Sequence, residues 1–349
     1  MKTNVLIIQK TIPSYRIPIF NRLGEIYNLS VVYSEGSVPQ NVSFKPLYVP
    51  TFYAHLRFHK KNLYLLARKY DVVVCTSETS FFYVRLLGLL PRNFKLIYWG
   101  IGVAAGYDTP FDSSEKVAKV IIKQARHADA MLFYSDYPVN KYSKCGISPQ
   151  KMFVANNTVQ LSTTCYEKDK DCLLFIGSMY KQKGLDQLLS AYKEASFVGS
   201  DIPPLVLIGD GAEKEELENF VKENHLASKI TFTGRITDEE VLNRYFAKAL
   251  LCISPNQAGL SVLKSMGYGV PFVTRKDAIT GGEIFNIHDG VDGIVYDEQE
   301  DLKQIIIYCL ENKDKYVEMG KAARTFYESY RTPSVMVQGF VDAINYVTQ

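Results

Sequence analysis

LCISPNQAGLSVLKSMGYGVP, residues 251–271, changes its residue period twice within a few turns of chain. An apolar run from Ala249 to Ser254 reads as a buried strand and stops at Pro255. The small-residue loop Asn256-Gln257-Ala258-Gly259 follows. Leu260, Leu263 and Met266 then recur at helical spacing, closed by Gly267 and Gly269 before Pro271. A second strand-like run starts at Phe272. A strand, a glycine loop, a helix and a strand in this order aim helix N-terminal amides at the loop, where they can hold an anion such as a diphosphate.

The same alternation runs outward in both directions. Upstream, strand-like runs at Val5–Ile8, Leu29–Tyr33, Val72–Thr76, Lys95–Trp99, Ala130–Ser135 and Met152–Ala155 are separated by helical patterns. A polar tract follows, and strands restart at Cys172, Leu205, Ile230 and Gly293. The chain of 349 residues is long enough for two domains. The pattern predicts two doubly wound α/β domains facing each other across a cleft. Their boundaries are expected at residues 1–162, a linker at 163–171, a second domain at 172–330 and a closing C-terminal helix at 331–349.

Composition narrows the class. An apolar fraction of 47% and a charged fraction of 22% suit a soluble globular protein, and no apolar run reaches the length of a bilayer span. The N-terminus reads as a first buried strand and not as a signal peptide. The six cysteines show no paired metal spacing and read as reduced core residues of a cytoplasmic protein. The net charge of +3 hides an asymmetry: residues 1–160 hold 20 Lys and Arg against 9 Asp and Glu, a net +11. Such a half favours an anionic partner. Residues 51–70, TFYAHLRFHKKNLYLLARKY, interleave cations with aromatics. They read either as a peripheral contact to the inner face of the cell membrane or as a solvated helix face. No nucleic-acid motif accompanies the charge, so nucleic acid is not expected as a partner.

The second half resembles family 4 of the glycosyltransferases, retaining enzymes of the GT-B fold that use nucleotide-diphosphate sugars. Four segments carry the likeness: FIGSMYKQKGLDQLLSAY (175–192), LVLIGDGAEKEELE (205–218), ITFTGRITDEEVLNRYFAKA (230–249) and the opening stretch. In the first half YRIPIFNRL, IYWGIG, YSD and VANNTV match more loosely, and the whole is similar to a subgroup active in cell-surface polysaccharide assembly. There are departures: the family's two glutamates fall on Asn256 and Lys264, its arginine on Ser178, and a frequent histidine on Ile101.

The resemblance implies transfer of a sugar from a nucleotide-diphosphate donor, with retention, to a glycan or lipid-linked glycan; the five histidines lack metal spacing, so no metal or other cofactor is expected. The donor would meet Gly177, Ser178, Lys183, Arg235, Asn256, Gly259, Leu260, Ser261, Lys264 and Glu283. The acceptor would meet Tyr15, Arg16, Gly100 and Ile101. Several residues keep a structural alternative. Lys183 precedes a helix and can lie beside a phosphate, or be a surface lysine. Gly259 permits close backbone approach, or serves a tight turn. Glu283 can accept from sugar or ribose hydroxyls, or cap a helix. Tyr15 and Arg16 face the expected cleft, or shape a Pro-bounded turn. No catalytic acid or base can be named from order alone. The four departures also fit a non-catalytic GT-B-shaped binding or partner protein, and a nucleotide-sugar epimerase of the same fold is a third class.

Overall fold

The computed structural model describes residues 2–78, 80–106, 109–161, 170–198 and 201–349. Most of the expected linker, and Cys165 with it, lies outside the described residues. Up to residue 160 the strands are β1 (Asn4–Ile8), β2 (Asn28–Tyr33), β3 (Lys45–Tyr48), β4 (Thr51–Ala54), β5 (Leu56–His59), β6 (Val72–Thr76), β7 (Lys95–Gly100), β8 (Ala130–Phe133) and β9 (Met152–Val154). The helices are α1 (Ile17–Ile26), α2 (Leu63–Ala67), α3 (Phe82–Leu87), α4 (Glu115–His127) and α5 (Tyr137–Ser143). Beyond residue 170 come β10 (Cys172–Ile176), β11 (Leu205–Ile208), β12 (Ile230–Gly234), β13 (Ala249–Ile253), β14 (Gln257–Ala258), β15 (Phe272–Arg275), β16 (Ile279–Thr280) and β17 (Gly293–Tyr296). Their helices are α6 (Leu185–Val198), α7 (Lys214–Glu223), α8 (Glu239–Lys248), α9 (Leu260–Gly267), α10 (Gln299–Ile307), α11 (Lys313–Tyr330) and α12 (Pro333–Thr348).

The described residues form two compact units, each a parallel sheet with helices packed on it. In the first unit the strand order is β3-β2-β1-β6-β7-β8-β9, and in the second β12-β11-β10-β13-β15-β17. Both are the doubly wound order, which runs outward from the first strand and then reverses. The apolar continuity of the strands explains the parallel pairing: β6 (VVVCT) and β10 (CLLFI) bury four of their five residues, as sheets covered on both faces require. Cys75, Cys172, Cys252 and Cys309 are buried as expected, whereas Cys145 is exposed.

Three features depart from the local reading. The first unit comprises the described residues within Met1–Ala105 and Asp112–Gln160 together with Thr332–Gln349, so α12 is one of its helices. Phe340 of α12 sits edge-to-face on Trp99, with ring centroids 4.9 Å apart. The stretch before Pro50, which reads as loop, contains β3. Its Pro46 is tolerated because β3 is an edge strand with one free side. Residues 51–70 are not one helix face: β4 and β5 form an antiparallel hairpin turning at His55 (φ 58°), followed by the five-residue α2.

Candidate functional sites, one in each unit

In the second unit the strand order reverses between β10 and β13, and the loops leaving these strands carry most of the expected donor residues. A crevice outside the carboxyl ends of strands, at such a reversal, is where open α/β sheets bind ligands. After β10 the chain passes Gly177 and Ser178 and makes one 3-10 turn, Lys181–Lys183. It enters α6 through Gly184 in the left-handed region (φ 67°). After β13 it runs through Asn256 to α9. The two loops are tied together: Asn256 N donates to Lys183 O at 3.2 Å. A Cβ on Gly184 would meet the Asn256 amide at 2.5 Å, so a glycine is required there.

Lys183 is not a surface lysine. It is 8% exposed, and its ammonium lies against Gly177, 3.3 Å from where a Cβ would stand. Burial pulls its pKa down from the ordinary lysine range to about 8. On the segment that follows β13, Asn256 Oδ1, Gln257 Oε1 and Ser261 Oγ are buried, and among the described residues none has a hydrogen-bond partner. Buried polar atoms are normally paired, so three unpaired ones between Asn256 and Ser261 leave hydrogen bonds for a ligand or water to make. Gly259 precedes α9 with an ordinary φ of −108°, and a Cβ there would meet nothing within 4 Å. Space is therefore open over the helix N-terminus, where the amides of Leu260 and Ser261 lack acceptors of their own helix. The bareness of Gly259 is not required by packing.

A third loop joins these two. The β14 strand pairs in parallel with β16, matching Gln257 with Ile279 and Ala258 with Thr280, and Ile279 N donates to Asn256 O at 2.8 Å. This lacing brings Gly281, Gly282 and Glu283 beside the start of α9. Glu283 is 8% exposed, and its Oε2 accepts from Gly281 N at 3.0 Å. That bond ties the carboxylate back to its own loop, as a cap would.

Other expected donor residues fall elsewhere. Lys264, on the last turn of α9, is paired with Glu239 at 2.8 Å, and Glu239 also accepts from Tyr268 Oη at 2.8 Å. Arg235 is exposed after β12, and among the described residues no recorded hydrogen bond or ion pair joins it to the cluster. The turn Gly209-Asp210-Gly211 serves packing: a Cβ on Gly209 would come within 1.8 Å of Gly177 O. Gln257 was legible only as a neighbour of Asn256. Glu239 carried no local signal, because its partner lies 25 residues away.

In the first unit the order reverses between β1 and β6. A pocket of about 490 Å³ lies beyond β6 and β7, lined by Ser77, Glu78, Ser80, Gly100, Ile101 and Tyr134 among others. Two of the expected acceptor residues, Gly100 and Ile101, are therefore on its wall. Glu78 gave no sequence signal. Although exposed as a residue, its carboxyl is held above the ordinary carboxylate pKa, chiefly by desolvation and against the pull of Lys10 and Arg57. Arg16 is 3% exposed, and its guanidinium lies 5.0–5.1 Å from the centroids of Tyr15, Trp99 and Tyr134, with Met336 Sδ 3.0 Å from Nη1. Those rings hold the cation inside the unit, where it supports the Pro-bounded turn. Among the described residues no group of three or more His, Cys, Asp or Glu could hold a metal ion, and no helix is long and apolar enough to cross a membrane.

Residues 165–326 match the family model described as Glycosyl transferases group 1. An uncharacterised glycosyltransferase of Methanocaldococcus jannaschii is 28% identical over 201 residues, 55% of this chain and 54% of that protein. The alignment thus spans about half the length of that relative. An uncharacterised 41.2 kDa protein in the cps region of Klebsiella pneumoniae is 27% identical over 296 residues, 78% of each chain. Among solved structures, Anabaena HepE in complex with UDP superposes with a TM-score of 0.73 at 14% identity, covering 98% of this chain and 99% of that one. This structural likeness shows the fold: two Rossmann-like parallel-sheet domains of the GT-B class. Together the family model and the relatives support a glycosyltransferase of that fold.

Proposed function

We propose that the protein is a retaining glycosyltransferase of family 4 that moves a sugar from a nucleoside-diphosphate donor to a glycan or lipid-linked glycan in surface polysaccharide synthesis. The observation that carries this reading is the pairing of opposite needs at one loop cluster. A buried ammonium and the open N-terminus of α9 suit a diphosphate, while the unpaired oxygens of Asn256 and Gln257 suit hydroxyl donors of a sugar. HepE was crystallised with UDP and with UDP-glucose, which makes a UDP-sugar the first donor to test.

In this reaction the bond from the sugar's anomeric carbon to the diphosphate breaks, and a bond to the acceptor oxygen forms on the same face. The acceptor's proton passes to a diphosphate oxygen, so no protein base is needed. Lys183 and the amides of Leu260 and Ser261 stabilise the charge growing on the departing diphosphate, a role that asks for no metal. The acceptor is assigned to the pocket of the first unit, with Glu78 and Ser77 receiving its hydroxyls. The exposed Phe52 and Tyr53 of the hairpin and the +11 charge of residues 1–160 support peripheral contact with an anionic membrane.

Calorimetric titration with a panel of nucleoside diphosphates tests the donor site. One base bound well above the others, with undiminished affinity in EDTA, is the expected result. Absence of binding by any of them would sink the reading. A second reading, a non-catalytic GT-B-shaped protein, is favoured by one observation: Lys264 stands at one of the acidic positions and is neutralised by Glu239. Tight donor binding with neither transfer nor hydrolysis of the sugar would select it.

A further inference from the structure

Away from both strand-end sites, the first unit carries a groove of about 260 Å³ between α3 and α4. Its floor is Tyr98 and Gly88. A Cβ on Gly88 would come within 3.1 Å of the Tyr98 hydroxyl and 3.3 Å of His127 Cβ, so the bare residue keeps this floor flat. The hydroxyl is already engaged, donating to Val84 O at 2.8 Å. Leu89 and Val120 on the walls are 49% and 37% exposed. Gln124 lines the same groove at 7% exposure, yet among the described residues neither its Oε1 nor its Nε2 has a hydrogen-bond partner. A buried amide in that state favours any ligand that brings it a polar atom.

The rim is cationic. Arg85 and Lys123 flank the apolar interior, and α4 carries Lys116, Lys119, Lys123 and Arg126 against a single acid, Glu115. Glu115 pairs with Lys119 at 3.8 Å, whereas among the described residues no ion pair holds Lys123. An apolar trough with an uncommitted amide and a positive edge fits an amphipathic anion. We propose that the groove binds one acyl chain of an anionic glycerophospholipid, its phosphate at Lys123 and Arg85 and an ester carbonyl accepting from Gln124 Nε2.

Charge chooses this occupant over the alternatives. A second copy docked on the same face would oppose two cationic rims. Nucleic acid has nothing to place against Leu89 and Val120. The groove also adjoins the hairpin through α3: Phe58 stacks on Phe82 with centroids 4.7 Å apart, and Arg57 N donates to Ser80 O at 2.8 Å. The inference deepens the membrane reading above and rests on it, naming a lipid site where that reading names only an anionic surface.

The test uses the full chain and monomeric dihexanoylphosphatidylglycerol below its micelle concentration, followed by the methyl resonances of Leu89 and Val120. Saturable binding of one lipid per chain is expected, about tenfold or more tighter than dihexanoylphosphatidylcholine. Val120→Glu should abolish it, and Leu89→Trp, which fills the trough without charge, should weaken it about tenfold. Tyr53→Ala in the hairpin should leave it unchanged. Retained binding of the nucleoside diphosphate that the wild type prefers shows that these variants are folded, and failure of every nucleoside diphosphate to bind the wild type would overturn the donor reading alone. Non-saturable binding, equal affinity for the choline lipid, wild-type behaviour of both groove variants, or loss only in Tyr53→Ala would each overturn the lipid site. So would a dimer that Val120→Glu dissolves without lipid, which would assign the face to a second copy.

Discussion

Lys183 shows how a residue's burial sets its chemistry. The ammonium is the charged form below about pH 8 and is lost above it, because desolvation lowers its pKa to about 8. Affinity for a nucleoside diphosphate, whose terminal phosphate is fully ionised above about pH 7, should therefore fall as pH rises through 8. Affinity for the bare nucleoside should stay flat. Lys183→Met should remove this pH dependence and weaken diphosphate binding by about 1.5–3 kcal/mol, the worth of a hydrogen bond to a charged group. Equal losses for nucleoside and diphosphate would place Lys183 away from the phosphates. Glu283 poses a different question, since its carboxylate already accepts from Gly281 N. If it also holds a ribose or sugar hydroxyl, Glu283→Gln should weaken the donor by about 1 kcal/mol or more while the unfolding midpoint moves little. A donor complex with Glu283 beyond hydrogen-bond reach of the ligand would remove it from the site.

At the scale of the element, two glycines at the ends of helices make opposite predictions. Gly184 caps the 3-10 turn in a left-handed conformation with Asn256 packed against it. Gly184→Ala should destabilise the second unit by about 1–2 kcal/mol and displace Asn256, measured by denaturant unfolding alongside donor titration. Gly259 has an ordinary φ and open space around it. Gly259→Ala should therefore leave stability within about 0.5 kcal/mol of wild type. It should nevertheless weaken diphosphate binding, because its methyl enters the space over the first turn of α9. A stable variant with undiminished binding would show that nothing occupies that space. The hairpin adds a contrast of its own: Arg57 is paired with Glu35 at 2.9 Å, so the membrane contact proposed there rests on the exposed Phe52 and Tyr53.

Across the whole molecule, α12 crosses back to complete the first unit, burying Met336, Phe340, Ala343 and Ile344 in the core that holds Phe20 and Trp99. Phe340→Ala should cost about 3–5 kcal/mol, and the loss belongs to the first unit alone. Calorimetry should show one of two transitions moving down, with stabilisation of the other by the preferred nucleoside diphosphate preserved, since two units need not unfold as one. A shift of both transitions together would mean that the units are energetically one. The period changes along the chain were enough to establish two doubly wound sheets, and the Gly177–Lys183 and Asn256–Ser261 loops were legible because strand ends, glycines and a helix start are local signals. Edge strand β3, the hairpin and the home of α12 were not, since each depends on what a segment packs against rather than on its own period. The same holds within the candidate sites. Local sequence put Lys183 and Asn256 on loops after strands, but only the tertiary structure buried the first, left the second's oxygen unpaired, neutralised Lys264 with Glu239 and raised the pKa of Glu78. Backbone periodicity is written in neighbouring residues, whereas desolvation and pairing are properties of space that the chain reaches only by folding.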